Sequence, residues 1–182
     1  MKTNHQSFFQ ERIRVIQGDI TQAEVDVIVN AANQWLIPGG GVDGAIHRAA
    51  GPDLAKATKV FGGLKTSQVV ITPGFHLKAK YVMHTLGPIW DNNETEEKLS
   101  QDLVNTYQNI FQTAHEKKFR TIAIPNISTG VYGFPKELAA ELVVKTTHAF
   151  LRSRPGIHHL CFYCFDNTNY QLYTKLFLSR TN

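Results

Sequence analysis

The sequence predicts an α/β fold in which helices cover both faces of a central sheet. Three observations carry that expectation. Short apolar runs with β-branched character recur at Ile13–Ile16, Val25–Val29, Val69–Ile71, Tyr81–Leu86, Thr121–Ile124 and Leu160–Phe165, and runs of this length suit buried strands. Between several of them apolar residues repeat at helical spacing. Two runs lead into glycine-rich loops with small amide or hydroxyl side chains, Asn30–Gly44 (NAANQWLIPGGGVDG) and Ser128–Pro135 (STGVYGFP).

Taken in order, the opening residues MKTNHQSFFQER have no apolar signal core, so a cleaved secretion signal is not expected. They read as a loose lead-in, or as an edge strand around Phe8 and Phe9. The Ile13 strand ends at Gly18-Asp19. The segment Ala45–Val60 is helix-like but contains Gly51-Pro52, which should end one helix and begin another. His76–Lys80 reads as a loop. Leu99, Leu103, Tyr107, Ile110, Phe111 and Ala114 mark one face of a helix starting near Glu94 or Thr95. Leu138, Leu142, Val143, Thr146, Ala149 and Phe150 mark a second, opened by Pro135. Leu172, Tyr173, Leu176 and Phe177 mark a third, Thr168–Leu178. No linker, repeat or low-complexity segment intervenes, so residues 1–182 are expected to form one domain, with 1–10 as the lead-in.

Composition narrows the function. A chain of 182 residues has mass for a full core. No apolar run approaches the ~20 residues of a membrane helix, so no membrane partner is expected. The formal net charge is +4, but the basic residues are scattered, with Lys117-Lys118 the only adjacent pair and Arg152/Arg154 a close one. A nucleic-acid stripe would be denser, so RNA is not an expected partner, whereas an anionic ligand is tolerated. The two cysteines, Cys161 and Cys164, suggest no disulfide framework and fit a reducing, cytoplasmic setting. Their C-x-x-C spacing resembles half of a zinc site or a redox pair. Inside an apolar strand, however, three-residue spacing sends the thiols to opposite faces, which favours a structural reading.

The loops carry the chemistry. Glycine lets backbone approach a ligand closely, and a helix N-terminus behind such a loop offers free N–H groups to an anion. Two such loops converging at one sheet edge would suit a diphosphate. Gly39–Gly44 formally satisfies G-x-G-x-x-G. It is not a dinucleotide fingerprint, because Asn30–Pro38 separates it from the strand and no carboxylate lies in Val60–Lys65. No Walker-type G-K-[ST] follows. Asp43 is either a helix N-cap or a carboxylate that orients or activates a water beside a ligand. His47, at i+4, shares its face and either tunes Asp43 or packs. Asn30 and Asn33 suit a ribose diol or simple turn chemistry. Ser128–Gly133 is an anion nest or a turn capping the next helix. Asp19 accepts from an exocyclic amine or caps the segment at Ile20. Phe165 stacks on a base or joins the core.

Together these stretches resemble the macrodomain family, specifically its MacroD-type branch. The matching segments are GDIT at Gly18–Thr21, VIVNAAN at Val27–Asn33, GGGVDGAIHRAAGP at Gly39–Pro52, YVMHTLGPIW at Tyr81–Trp90 and ISTGVYGFP at Ile127–Pro135. The likeness runs in order from about Ile13 to the last helix. It implies a three-layer α/β/α sandwich with a mixed sheet that binds ADP-ribose at the strand ends. Carried over by position, Asp19 and Ile20 would hold the adenine, with Phe165 stacked on it. Gly39, Gly40, Gly41 and Val42, with Ser128, Thr129, Gly130, Val131, Tyr132 and Gly133, would wrap the diphosphate. Ala32 would line the site and Asn33 would contact the distal ribose. Asp43 would sit near the scissile bond, with His47 behind it and Tyr132 flanking the ribose; Asn33, Asp43 and His47 are the implied catalytic set.

The resemblance also implies an activity: removal of ADP-ribose from acidic side chains and deacetylation of O-acetyl-ADP-ribose, both cleaving an ester on the distal ribose. ADP-ribose, its acetyl ester and mono-ADP-ribosylated proteins are the implied partners of a monomer. No cofactor is implied. The ligands of zinc-containing macrodomains are not evident, so no metal is expected. Pro38 stands where this branch usually has glycine, and should stiffen the catalytic loop. Asn126 and Ser67 also depart from the pattern. A reader that binds ADP-ribose without turnover is the competing reading, although readers typically lack the Asn/Asp pair. An RNA-binding role rests only on the pI of about 9.1.

Overall fold

A computed structural model of the chain describes residues 11–91, 93–153 and 156–179. The expected N-terminal lead-in, 1–10, lies outside the described residues. Six strands form one sheet: β1 (Ile13–Gln17), β2 (Val27–Ala31), β3 (Val69–Pro73), β4 (Tyr81–Thr85), β5 (Thr121–Pro125) and β6 (His159–Cys164). Their order is β1-β6-β5-β2-β4-β3, parallel except for β3, which runs antiparallel to β4 at one edge. The helices are α1 (Gly41–Ala50), α2 (Pro52–Thr58), α3 (Glu96–Glu116), α4 (Lys136–Ser153) and α5 (Asn167–Ser179). This is the expected α/β/α sandwich with a mixed sheet.

Alternation along the strands divides the core in two. Val27, Val29, Ile122, Ile124, Leu160, Phe162 and Cys164 face α3, α4 and α5, meeting Leu103, Tyr107, Phe111, Val143 and Tyr173. Ile28, Val82 and Ala123 face the opposite way, towards Ile46 and Ala50 of α1 and Leu54 of α2. Cys161 belongs to this second face, so the two buried thiols are separated by the sheet, as their spacing predicts. Burial raises both thiols, Cys164 to about 11.

The helix starts follow their caps. Thr95 Oγ1 accepts the Lys98 N–H at 3.2 Å and opens α3, with Glu96 and Glu97 in its first turn, where the helix dipole favours acids. All six residues expected on the α3 face are buried. The α4 face is broader than its apolar stripe. Ala139, Ala140, Val144 and Thr147 are buried while Ala149 is exposed, because α4 packs against both α3 and α5.

Two expected boundaries are corrected. The second strand starts at Val27 rather than Val25. Just before it, Asp26 still accepts the Tyr81 N–H on its backbone carbonyl at 3.1 Å, while its Oδ2 accepts the backbone N–H groups of Arg120 (2.9 Å) and Thr121 (3.2 Å) and its Oδ1 pairs with Lys80 at 2.9 Å. The helix expected from Ala45 starts at Gly41, with Gly40 as N-cap. Glycines are poor helix formers, yet the first helical bond, Gly44 N–H to Gly40 O at 3.1 Å, forms among them.

Asp26 ties the starts of β2, β4 and β5 together. Burial alone would raise its carboxyl, but the Lys80 hydrogen bond and the two amides outweigh that and hold it at about 2. The lowered value stabilises the fold above the ordinary 3.8, and this contribution is lost as pH falls towards 2. Asp26→Asn should lower the urea midpoint at neutral pH, with the deficit shrinking as pH is taken below 3.8; pH-dependent urea unfolding monitored by circular dichroism checks it.

Candidate functional site: the crevice between β2 and β5

The topology opens a crevice. The polypeptide leaves β2 for α1 on one face of the sheet and leaves the adjacent parallel β5 for α4 on the other. Their connecting loops therefore part at the carboxyl end of this strand pair, where ligands settle in open α/β sheets. The Gly18-Asp19 corner after β1 and Phe165 after β6 lie on the same edge.

Asp43 is the chemical centre of the β2 loop. It occupies the third position of α1 rather than the N-cap expected as its bland role, and it is only 4% exposed. Its Oδ2 accepts the Gly39 N–H at 2.6 Å and its Oδ1 accepts Asn30 Nδ2 at 2.6 Å. His47 Nε2 stands 3.6 Å from the same Oδ1, one turn down the helix, so His47 lies against Asp43 as its spacing predicts. The backbone must run close here. A Cβ on Gly39 would lie 3.0 Å from Asp43 Oδ2 and 3.2 Å from Asn33 Nδ2, and one on Gly44 would lie 2.5 Å from Gly39 O. Side chains at either position would displace the carboxylate or its loop.

The two asparagines separate in role. Asn30 is fully buried and turned towards Asp43, which removes it as a ribose ligand. Asn33 clamps the loop: its Oδ1 accepts the N–H groups of Trp35 (3.2 Å) and Ile37 (3.4 Å), and its Nδ2 donates to Ile37 O at 2.7 Å. Turn chemistry is therefore present, and one of its two amide hydrogens is committed. Pro38 follows immediately; a residue before proline is held extended, so Ile37 is preset for this clamp. A cleft of about 340 Å³, lined by Pro38, Gly39, Gly44, His47 and Arg48, opens beside the loop.

The β5 loop meets the β2 loop through Tyr132, which packs against the Ala32, Leu36, Leu64 and Leu86 cluster. Burial, aided by the Asp43 charge, raises the Tyr132 hydroxyl, so it remains a proton donor near the carboxylate. Ser128 adopts a left-handed φ of 67°, and its buried Oγ has no hydrogen-bond partner among the described residues. A Cβ on Gly87 would overlap that oxygen. Thr129 is buried, whereas Val131 is 99% exposed. A side chain at Gly40 or Gly130 would meet nothing within 4 Å among the described residues, so each loop also presents bare backbone there. Val42 packs half-buried on the α1 side.

At the far end, Asp19 Oδ1 accepts from Thr21 N (2.9 Å) and Thr21 Oγ1 (2.8 Å), capping a 3-10 turn at Ile20–Gln22. Ile20 is buried. Phe165 is 93% exposed just beyond β6, which excludes the core alternative. Trp90 packs edge-on to Phe134, with ring centroids 4.7 Å apart, and Trp35 projects into solvent.

Sequence reasoning missed His84 and Thr72. His84 Nδ1 lies 3.2 Å from Asn30 Nδ2, and its Nε2 lies 2.9 Å from Thr72 Oγ1; His84 is wholly buried. The available signal was an ionisable residue, His84, inside the apolar run Tyr81–Leu86. Burial first, and the neighbouring His47 second, lower His84 to about 3.

An α/β/α sandwich with two glycine-rich loops, an exposed aromatic ring and a held carboxylate at its β2/β5 crevice defines a protein built to seat an extended anionic ligand. The chain belongs to the Macro domain family, whose model matches residues 29–143. It is 48% identical over 169 residues to the O-acetyl-ADP-ribose deacetylase of Salmonella newport, covering 91% of this chain and 93% of that protein. Among solved structures, the Oceanobacillus iheyensis macrodomain with ADP superposes with a TM-score of 0.86 at 39% identity, covering 92% of this chain and 91% of that one. The Trypanosoma brucei macrodomain in complex with ADP-ribose has a TM-score of 0.86 at 37% identity, covering 92% of this chain and 70% of that one.

His84 supplies a pH test. Between its ordinary 6.5 and about 3 the unfolded chain binds the proton that the folded ring refuses. Its contribution is thus full above 6.5 and is lost as pH falls through that window. NMR should find the ring neutral well below pH 6.5, and His84→Asn should flatten the acid side of the stability profile.

Proposed function

We propose that this protein is a hydrolase that binds ADP-ribose and cleaves esters at its distal ribose. Its substrates are O-acetyl-ADP-ribose and mono-ADP-ribosyl esters of aspartate and glutamate side chains. The observation that carries the reading is the Asp43 carboxylate, held by one donor on each oxygen beside Asn33 where the two loops meet. A module that only bound ADP-ribose would not need a carboxylate fixed there. The name of the Salmonella relative and the ADP and ADP-ribose complexes of the solved neighbours support it.

In this reading residues 1–182 act as one macrodomain. Asp19 and Ile20 receive the adenine and Phe165 stacks on it. Gly39 to Val42 and Ser128 to Gly133 surround the diphosphate through backbone N–H groups and the Ser128 hydroxyl. Ala32 and Asn33 face the distal ribose, Asn33 with its remaining amide hydrogen. Asp43 holds a water against the ester, assisted by the ligand's own phosphate, with His47 behind it and Tyr132 beside the ribose. Water adds across the ester bond, yielding a ribose hydroxyl and a free carboxylic acid. The protein works as a cytoplasmic monomer on mono-ADP-ribosylated proteins; its buried, separated thiols suit a reducing setting.

Asp43→Ala should abolish most turnover of O-acetyl-ADP-ribose and of an aspartyl- or glutamyl-ADP-ribosylated protein, while calorimetry still finds ADP-ribose binding. Wild-type turnover in that variant would refute the role of Asp43, and tight wild-type binding without product would establish a reader instead. Phe165→Ala should weaken ADP-ribose binding by roughly 1–3 kcal/mol, the scale of base–aromatic stacking, with kcat little changed; isothermal titration beside steady-state kinetics separates the two effects.

A further inference from the structure

Asp43 is anchored from behind by a chain of buried polar groups that the proposed chemistry does not itself use. The chain runs from Thr72 on the edge strand β3 to His84 on β4, to Asn30 on β2, and ends at Asp43 Oδ1. Thr72 is 3% exposed, and Asn30 and His84 are 0% exposed. Asn30 and His84 are direct register partners in the parallel β2·β4 pair.

The hydrogens in this chain can be assigned. Asp43 Oδ1 at 2.6 Å accepts, so the Asn30 atom facing it must be the amide nitrogen; the reversed amide would set two oxygens against each other. The same nitrogen lies 3.2 Å from His84 Nδ1. With one amide hydrogen on Asp43, the second points at the ring, and Nδ1 must be bare to receive it. A neutral imidazole with a bare Nδ1 carries its proton on Nε2, which then donates to Thr72 Oγ1 at 2.9 Å. The opposite tautomer would place two donors face to face at Asn30. Burial, which keeps the ring neutral over the working pH range, preserves the acceptor.

We propose that His84, held as the Nε2–H tautomer by Thr72, is a positioning residue that fixes the Asn30 amide and through it the orientation of the Asp43 carboxylate. The inference rests on the ester-hydrolase reading for its kinetic consequence, but its geometric content stands apart. Oδ1 is set from the sheet by Asn30, and Oδ2 is set from the loop by Gly39. Losing the sheet-side donor frees the carboxylate to turn about its last bond. Small misplacements of a catalytic group cost large factors in rate, while ligand affinity depends on other groups.

The test uses the intact protein. Nitrogen-15 NMR of the ligand-free wild type should find the His84 proton on Nε2 and a bare Nδ1, and the Asn30 side-chain amide should exchange slowly. His84→Leu removes the acceptor but keeps bulk. It should lower kcat for O-acetyl-ADP-ribose about tenfold or more, with KM and the ADP-ribose Kd changed by no more than about twofold, and it should speed Asn30 amide exchange. His84→Asn, which can return an acceptor near the Nδ1 position, should recover part of kcat. If His84→Leu does not fold, Thr72→Val carries the same test at the far end of the chain, with a smaller fall in kcat and loss of the single tautomer. A proton on Nδ1, or kcat unchanged in the folded variant, overturns the proposal. If the wild type binds ADP-ribose but shows no turnover, the hydrolase reading fails instead, and the tautomer with the Asn30 exchange rates decides the positioning role: the proton on Nε2 and faster exchange in the variant uphold it, and either one missing overturns it.

Discussion

Burying a carboxylate at the junction of a sheet edge and a helix start constrains everything around it. Asp43 is almost sealed from water, and an ionised carboxylate in that position must be compensated by donors. The donors come from two directions, a side chain on β2 and the backbone of the glycine loop. The helix N-terminus adds its dipole. Each donor makes its own demand. Gly39 must stay without a side chain, Gly44 must let the loop carbonyl pass, and α1 must begin among glycines where the chain alone would not favour it.

The sheet answers the same demand by its parity. Side chains alternate across a strand, so the residues that reach α1 from β2 are Ile28 and then Asn30, and from β4 Val82 and then His84. The apolar members lie deeper and hold the helix. The polar members lie one pleat nearer the carboxyl edge and hold the chemistry. One alternation thus serves packing and polarity in sequence, and a single-residue slip of β2 or β4 would turn both to the wrong face.

Much of this was legible in the chain. The six strands stand within two residues of their apolar runs, because buried parallel strands have little polar alternation to confuse them. The α3 face was read residue by residue from its period, and its start was placed near Glu94 or Thr95, of which Thr95 is the N-cap. What escaped depended on tertiary context. The start of α1 was hidden by its glycines. The α4 face widened because two helices flank it, which periodicity within α4 does not encode. Asn30 reads equally as a ribose ligand or as turn chemistry, because a strand-end asparagine looks the same whether it turns in or out. His84 drew no notice because its partners, Asn30 and Thr72, lie 54 and 12 residues away. Conversely Phe165, one of 11 phenylalanines, has a sequence context that reads as core, yet it stands in water.

The exposed Phe165 and Val131 carry a calorimetric consequence. Both leave apolar surface hydrated on the crevice edge of the sheet while the core behind them is filled. A ligand seated against them would release that hydration, and burial of apolar surface lowers the heat capacity of the complex relative to its parts. The association enthalpy would therefore become more favourable on warming, even though the diphosphate contacts themselves are polar.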